Sequence, residues 1–121
     1  MSARKVRVRV QIPEEDALPF VSHATSLGYT PAALLCHWQL VVVDALHQGR
    51  GDLLVAMEPI GRGERPVEYK WTQGRGERDR TDQVLAAAGW DRTLVCRNAV
   101  RRLNAADGRL ERMEWLHLPP C

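Results

Sequence analysis

Residues 5–12, KVRVRVQI, alternate without a fault. Val6, Val8, Val10 and Ile12 fall on one face of an extended strand, and Lys5, Arg7, Arg9 and Gln11 on the other. Pro13 stops the strand because it has no N–H to give to a ladder. Glu14, Glu15 and Asp16 follow, and acidic residues favour a helix N-terminus. A lone strand can neither hide its apolar face nor satisfy its edges. It needs a mate, most simply its own copy in a second subunit. The stretch therefore predicts a paired ribbon with a greasy face and a basic face, a shape suited to a DNA major groove.

Downstream of Pro13 the chain reads as helices. Residues 14–27 put Leu18, Val21, Ala24 and Leu27 roughly on one face. Pro19 would cost that helix a hydrogen bond, which favours a start near Leu18 with Pro19 in the first turn. Gly28 is a natural stop, Thr30 an N-cap and Pro31 a first helical residue. From Pro31 to about His47 the apolar residues Leu34, Leu35, Trp38, Val41, Val42 and Ala45 cover nearly every side. A two-helix monomer cannot bury such a helix, which again predicts a dimer. Residues 52–57 are a short apolar run of either type, and 58–66 a linker by their Gly and Pro. Residues 67–73, VEYKWTQ, alternate once more, and 74–80, GRGERDR, read as a loop. A helix is expected over 81–88, ended by Gly89, and another from Arg92 to about Ala106, capped by Asp91. Residues 109–118 are ambiguous before Pro119 and Pro120.

The second half echoes the first. Setting Gly89 on Gly28 puts Val67, Tyr69 and Trp71 on Val6, Val8 and Val10, and Val95, Ala99 and Leu103 on Leu34, Trp38 and Val42. The middle helix does not match, because Asp79 and Thr81 fall on Leu18 and Phe20.

Composition sets the class. A chain of 121 residues with 45% hydrophobic content is one globular domain or two very small ones. The net charge of +2 carries little by itself; its clustering carries more. Arg4, Lys5, Arg7 and Arg9 form one basic cluster, and Arg92, Arg97, Arg101 and Arg102 another. Three cysteines, Cys36, Cys96 and Cys121, have no metal-ligand spacing and predict reduced thiols in a cytoplasmic protein. The N-terminus goes straight into the strand, so no leader is expected. The apolar run around Leu40 to Leu46 is too short to span a bilayer and contains Asp44.

Strand, proline, acidic helix start, helix, Gly-aromatic-Thr turn and second helix together resemble the ribbon-helix-helix DNA-binding proteins of the Arc/MetJ type. The resemblance covers residues 4–47 and rests on VRVRVQIPEED and LGYTPAALL. It implies base contacts from Arg7, Arg9 and Gln11, and a backbone phosphate held at the N-terminus of the second helix by Thr30. Chemistry agrees: arginine can grip guanine and glutamine adenine in bidentate fashion, and a helix N-terminus attracts anions. Arg4, Lys5 and Arg92 are the further phosphate contacts expected. GWDRTLVCRNAVRRL resembles the family's turn and second helix too, whereas VEYKWTQ is a poorer strand match. A second copy over residues 67–106 would turn Glu68, Lys70 and Thr72 outward.

The expected fold is α+β and mostly helical, an antiparallel two-stranded ribbon formed between subunits or, in tandem, within one chain. Residues 1–51 form the DNA-binding unit and 52–66 the linker. Residues 67–121 form a second strand-helix-helix unit or an assembly domain. The mismatched middle helix and the poor groove chemistry of Glu68 tilt toward assembly, with Trp71, Trp90 and Trp115 buried in it. The expected function is sequence-specific binding of double-stranded DNA by a homodimer or higher oligomer: a transcriptional repressor or regulator, or a plasmid accessory protein. No catalytic residue, metal or cofactor is expected; Cys36, His37 and His23 lack a third group placed by sequence. Two alternatives stand beside this. Arg7 and Arg9 could be charges that keep a solvated edge from aggregating. The whole could be an antitoxin-like module whose C-terminal half, residues 67–121, holds a protein partner.

Overall fold

The alternation of residues 5–12 becomes β1 (Lys5–Pro13), with Val8, Val10 and Ile12 buried and Arg7 and Arg9 exposed in the computed structural model. Residues 4–49 and 57–110 are described. Expectations for 52–56 and 111–118, and for Trp115 and Cys121, lie outside them.

The mate of β1 is in the same chain. It pairs antiparallel with β2 (Pro66–Gly74), from Lys5 opposite Gly74 through Arg9 opposite Lys70 to Pro13 opposite Pro66. The expected pairing across two subunits is thus replaced by its intramolecular alternative, because the second alternating stretch supplies the ladder. The rest is helical: α1 (Glu14–Ser26), α2 (Pro31–His47), α3 (Arg75–Ala87) and α4 (Arg92–Ala105). The chain is α+β and mostly helical. In each half the order is strand, helix, helix, and each element begins 61 residues after its counterpart: Lys5 and Pro66, Glu14 and Arg75, Pro31 and Arg92.

Local chemistry repeats at the same spacing. Thr30 caps α2 by accepting from the Ala33 amide, and Asp91 caps α4 by accepting from the Leu94 amide. Gly28 and Gly89 take positive φ of 83° and 80° after the helix before them, where an L side chain would be strained. The next amides, of Tyr29 and Trp90, reach back to the carbonyls of Ala24 and Leu85 at 3.0 and 2.9 Å.

Two helices depart from expectation. α1 begins at Glu14, not near Leu18, and holds Pro19 inside. The carbonyl that Pro19 leaves unbonded belongs to exposed Glu15, where water can replace the amide. α3 begins at Arg75, so GRGERDR is largely helix rather than loop. Its few apolar residues give a weak pattern, but Thr81 and Leu85 are fully covered. Gln73 Nε2 donates to Glu77 in the first turn at 2.8 Å, and Arg78 lies 3.8 Å from Asp82 one turn on. The mismatch between middle helices shrinks in three dimensions. Asp79 stands where Leu18 is 66% exposed, and Thr81 is buried where Phe20 is buried.

Both halves line one core. Ile12, Phe20, Leu34, Leu35, Trp38 and Val42 cluster with Leu85, Val95, Ala99, Val100 and Leu103. Phe20 lies 5.9 Å from the Trp38 ring and edge-on to Tyr69 at 6.0 Å. α1, α3 and α4 pack on α2 and bury Leu34, Leu35, Trp38, Val42 and Val43 within the chain, while Leu40 and Val41 stay half-buried. The strand pairing and most of the α2 burial that predicted a homodimer are thus supplied by the second half of the same chain. Residues on the linker side are pinned rather than loose. Ile60 is buried, and the Glu58 amide and carbonyl bond to Asn98 at 2.8 and 3.0 Å.

Burial has a titratable consequence. The Cys96 thiol, fully enclosed, is pushed up from 9.0 to about 12 by desolvation. Desolvation also raises half-buried Cys36 and Tyr69. The unfolded chain releases the Cys96 proton first, so its contribution is complete below the ordinary thiol pKa and declines as pH climbs toward the folded value. The slope approaches about 1.4 kcal/mol per pH unit. Urea midpoints are expected to be lower at about pH 10.5 than at about pH 8. Cys96 should resist alkylation until denaturant is added; labelling of native protein at Cys96 would show that this part of the core opens.

Candidate nucleic-acid interface

Period-two alternation decides which side chains leave the protein. With Val8, Val10 and Ile12 held in the core, Arg7, Arg9 and Gln11 must point the other way. The same holds for Glu68, Lys70 and Thr72 against Val67, Tyr69, Trp71 and Gln73. The register sets Arg7 opposite Thr72, Arg9 opposite Lys70 and Gln11 opposite Glu68. Five of these six are exposed and Gln11 is half-buried. Lys5 and Arg4 extend the basic end, and the Arg4 carbonyl accepts from the Arg75 amide at 2.8 Å, tying that end to α3.

Arg9 and Lys70 directly oppose one another, an arrangement that is unfavourable in a bare sheet. Glu68 offsets Lys70 at 3.6 Å, but both side chains are well exposed and such pairs contribute little. The face therefore keeps a cationic centre.

α4 flanks this face. Thr93 in its first turn and Arg97 share a cleft of about 270 Å³ with Arg9, Gln11 and Glu68. Arg97 clamps the free side of β1, donating to the Gln11 carbonyl at 2.7 Å and to the Ile60 carbonyl at 2.9 Å. Its burial lowers the guanidinium pKa. Sequence reasoning grouped Arg97 with a basic cluster and missed the clamp, because its partners are main-chain oxygens 86 and 37 residues away.

The expected phosphate contacts divide. Thr30 is exposed at the start of α2, where its hydroxyl caps and leaves the helix end uncharged. Arg92 is taken up inside the protein. Its Nε donates to Gln39 at 2.6 Å, and its Nη2 lies 2.8 Å from Asp82 as an ion pair rather than an aligned hydrogen bond. Its side chain is 13% exposed. Gln39 in turn donates to Gln73 at 2.6 Å, and Trp71 Nε1 donates to the same Gln73 oxygen at 3.0 Å. This chain ties α2, β2 and α4 together. Gln73 occupies in β2 the place that Ile12 occupies in β1, so the network joins the two halves but has no counterpart at the equivalent positions. No protein-family model, curated protein or solved structure matches the chain.

Cys36 and His37 show no activated arrangement. Desolvation raises the Cys36 thiol, the opposite of what a thiolate nucleophile needs. Trp71 and Trp90 are partly buried against the core. Among the described residues no helix is long and apolar enough to cross a membrane, and no group of three or more His, Cys, Asp or Glu could hold a metal ion.

Proposed function

We propose that the chain binds double-stranded DNA through the outer face of its β-ribbon, as a transcriptional regulator or plasmid accessory protein of ribbon-helix-helix architecture with both units in one polypeptide. The observation that carries this is the cationic centre made by Arg9 and Lys70 on a solvent face whose reverse side is the core. Two strands about 4.8 Å apart, with their side chains, fit a major groove about 12 Å wide. Arg7 and Arg9 offer guanidinium forks for guanine, and Gln11 an amide for adenine. On this reading Arg4, Lys5 and the start of α2 at Thr30 would supply the phosphate contacts.

The test separates reading from holding. Arg9→Ala is expected to lose about 1–3 kcal/mol of discrimination at one base pair, measured by titrating specific and random duplexes. Arg4→Ala should weaken all duplexes alike and reduce the salt slope by about 1. Equal losses on specific and random DNA for both variants would mean that the ribbon is not the reader.

One observation favours a second reading. A groove of about 610 Å³ runs between α2 and α3, lined by Leu40, Val41, Val43, Glu77 and Arg80 among others. In the other half the places of Leu40 and Glu77 are held by Arg101 and Asp16, which bridge at 2.9 Å. The unbridged groove is where an antitoxin-like module would seat a protein partner. Failure to bind any duplex would leave this reading standing.

A further inference from the structure

We infer that the DNA site is asymmetric, bound by one chain in one orientation. This rests on the ribbon being the DNA reader. The register makes Arg9 and Lys70 both each other's partners and each other's counterparts, so a local twofold passes between them. About that axis Arg7 corresponds to Glu68, Arg9 to Lys70 and Gln11 to Thr72. A ribbon of two identical strands offers identical chemistry to the two halves of its site. This ribbon has the geometry of that twofold and none of its chemical identity.

The differences run along the ribbon as a gradient. At one end Lys5 and Arg7 face solvent beside Thr72; at the other Gln11 lies opposite Glu68. Arg7 and Arg9 favour guanine through O6 and N7. Glu68 rejects guanine's acceptors and accepts from the cytosine amino group, and Gln11 suits adenine. The two flanking helices differ in the same sense. α2 begins at uncharged Thr30, whereas α4 begins at the Asp91 carboxylate, with Arg92 drawn away to Gln39 and Asp82. A phosphate is therefore welcomed at one helix and opposed at the other. Turning the protein end for end on its site would place Glu68 against guanine and Arg7 against cytosine. Base chemistry and phosphate contacts thus choose the same single orientation.

The experiment is selection of bound sequences from random duplex DNA with the full chain, and the stoichiometry of the selected complex. Non-palindromic enrichment with one chain per duplex is the expected result. Replacing one half of the selected site by the inverted repeat of the other should weaken binding on the order of tenfold or more. The variant Glu68→Arg, Lys70→Arg, Thr72→Gln makes the two outer strands alike and should select a palindrome. The reciprocal variant Arg7→Glu, Arg9→Lys, Gln11→Thr should select a different palindrome. All six positions lie on the outer face of the ribbon, and circular dichroism checks that each variant is folded. A palindrome selected by the unaltered chain, or two chains per duplex, would overturn the inference while leaving DNA binding intact. No enrichment from any protein would remove the DNA reading itself.

Discussion

Phe20→Ala is expected to remove about 3–5 kcal/mol of folding stability. Phe20 has no exposed surface, and its ring joins α1 to Trp38 of α2 and to Tyr69 of β2. Those partners sit on helices and a ladder that cannot close over the space, so most of the cavity remains. Domains of this size are stable by about 5–15 kcal/mol, so the loss is a large share of the total and should move the urea midpoint well down. Leu18→Ala, two residues away on the same helix but 66% exposed, should cost within about 0.5 kcal/mol. Urea unfolding followed by circular dichroism compares the two. Equal small losses would mean that the site collapses around the missing ring and that Phe20 does not bind the halves together.

A fragment ending at Gly51 should have no folded monomer. It retains β1 but loses every rung of the ladder to β2. It also uncovers Ile12, Leu34, Leu35 and Val42, which in the whole chain cluster with Leu85, Val95, Val100 and Leu103. Each large apolar side chain returned to water costs about 1.5–3 kcal/mol, so a few exceed the stability of the domain. Folding can then return only by association. A second copy would set Arg9 against Arg9, since Arg9 and Lys70 are equivalent places. Sedimentation and circular dichroism measured over a range of concentrations are expected to show helix appearing only with the dimer. A helical monomer at high dilution would contradict the shared core.

What the sequence determined by itself is whatever a few neighbouring residues decide. The faces of both strands follow from strict alternation at Val6–Ile12 and Val67–Gln73. The offset that aligns Gly28 with Gly89 is the 61-residue spacing that separates each element of one half from its counterpart, because the same turn chemistry recurs there. Thr30-Pro31 and Asp91 start their helices through hydrogen bonds three residues long. Tertiary structure decided what depends on distant partners. An apolar strand face requires a mate but does not say whose, and only the packed chain gives β2 rather than another subunit. The polar stretch at 75–80 becomes helix because Thr81 and Leu85 find a core, a gain that no local pattern records. Arg92 reads as a phosphate ligand beside a helix start, yet Gln39, 53 residues earlier, and Asp82 hold it inside. A guanidinium goes to whichever acceptors the fold brings within reach, and that choice is made in space, not along the chain.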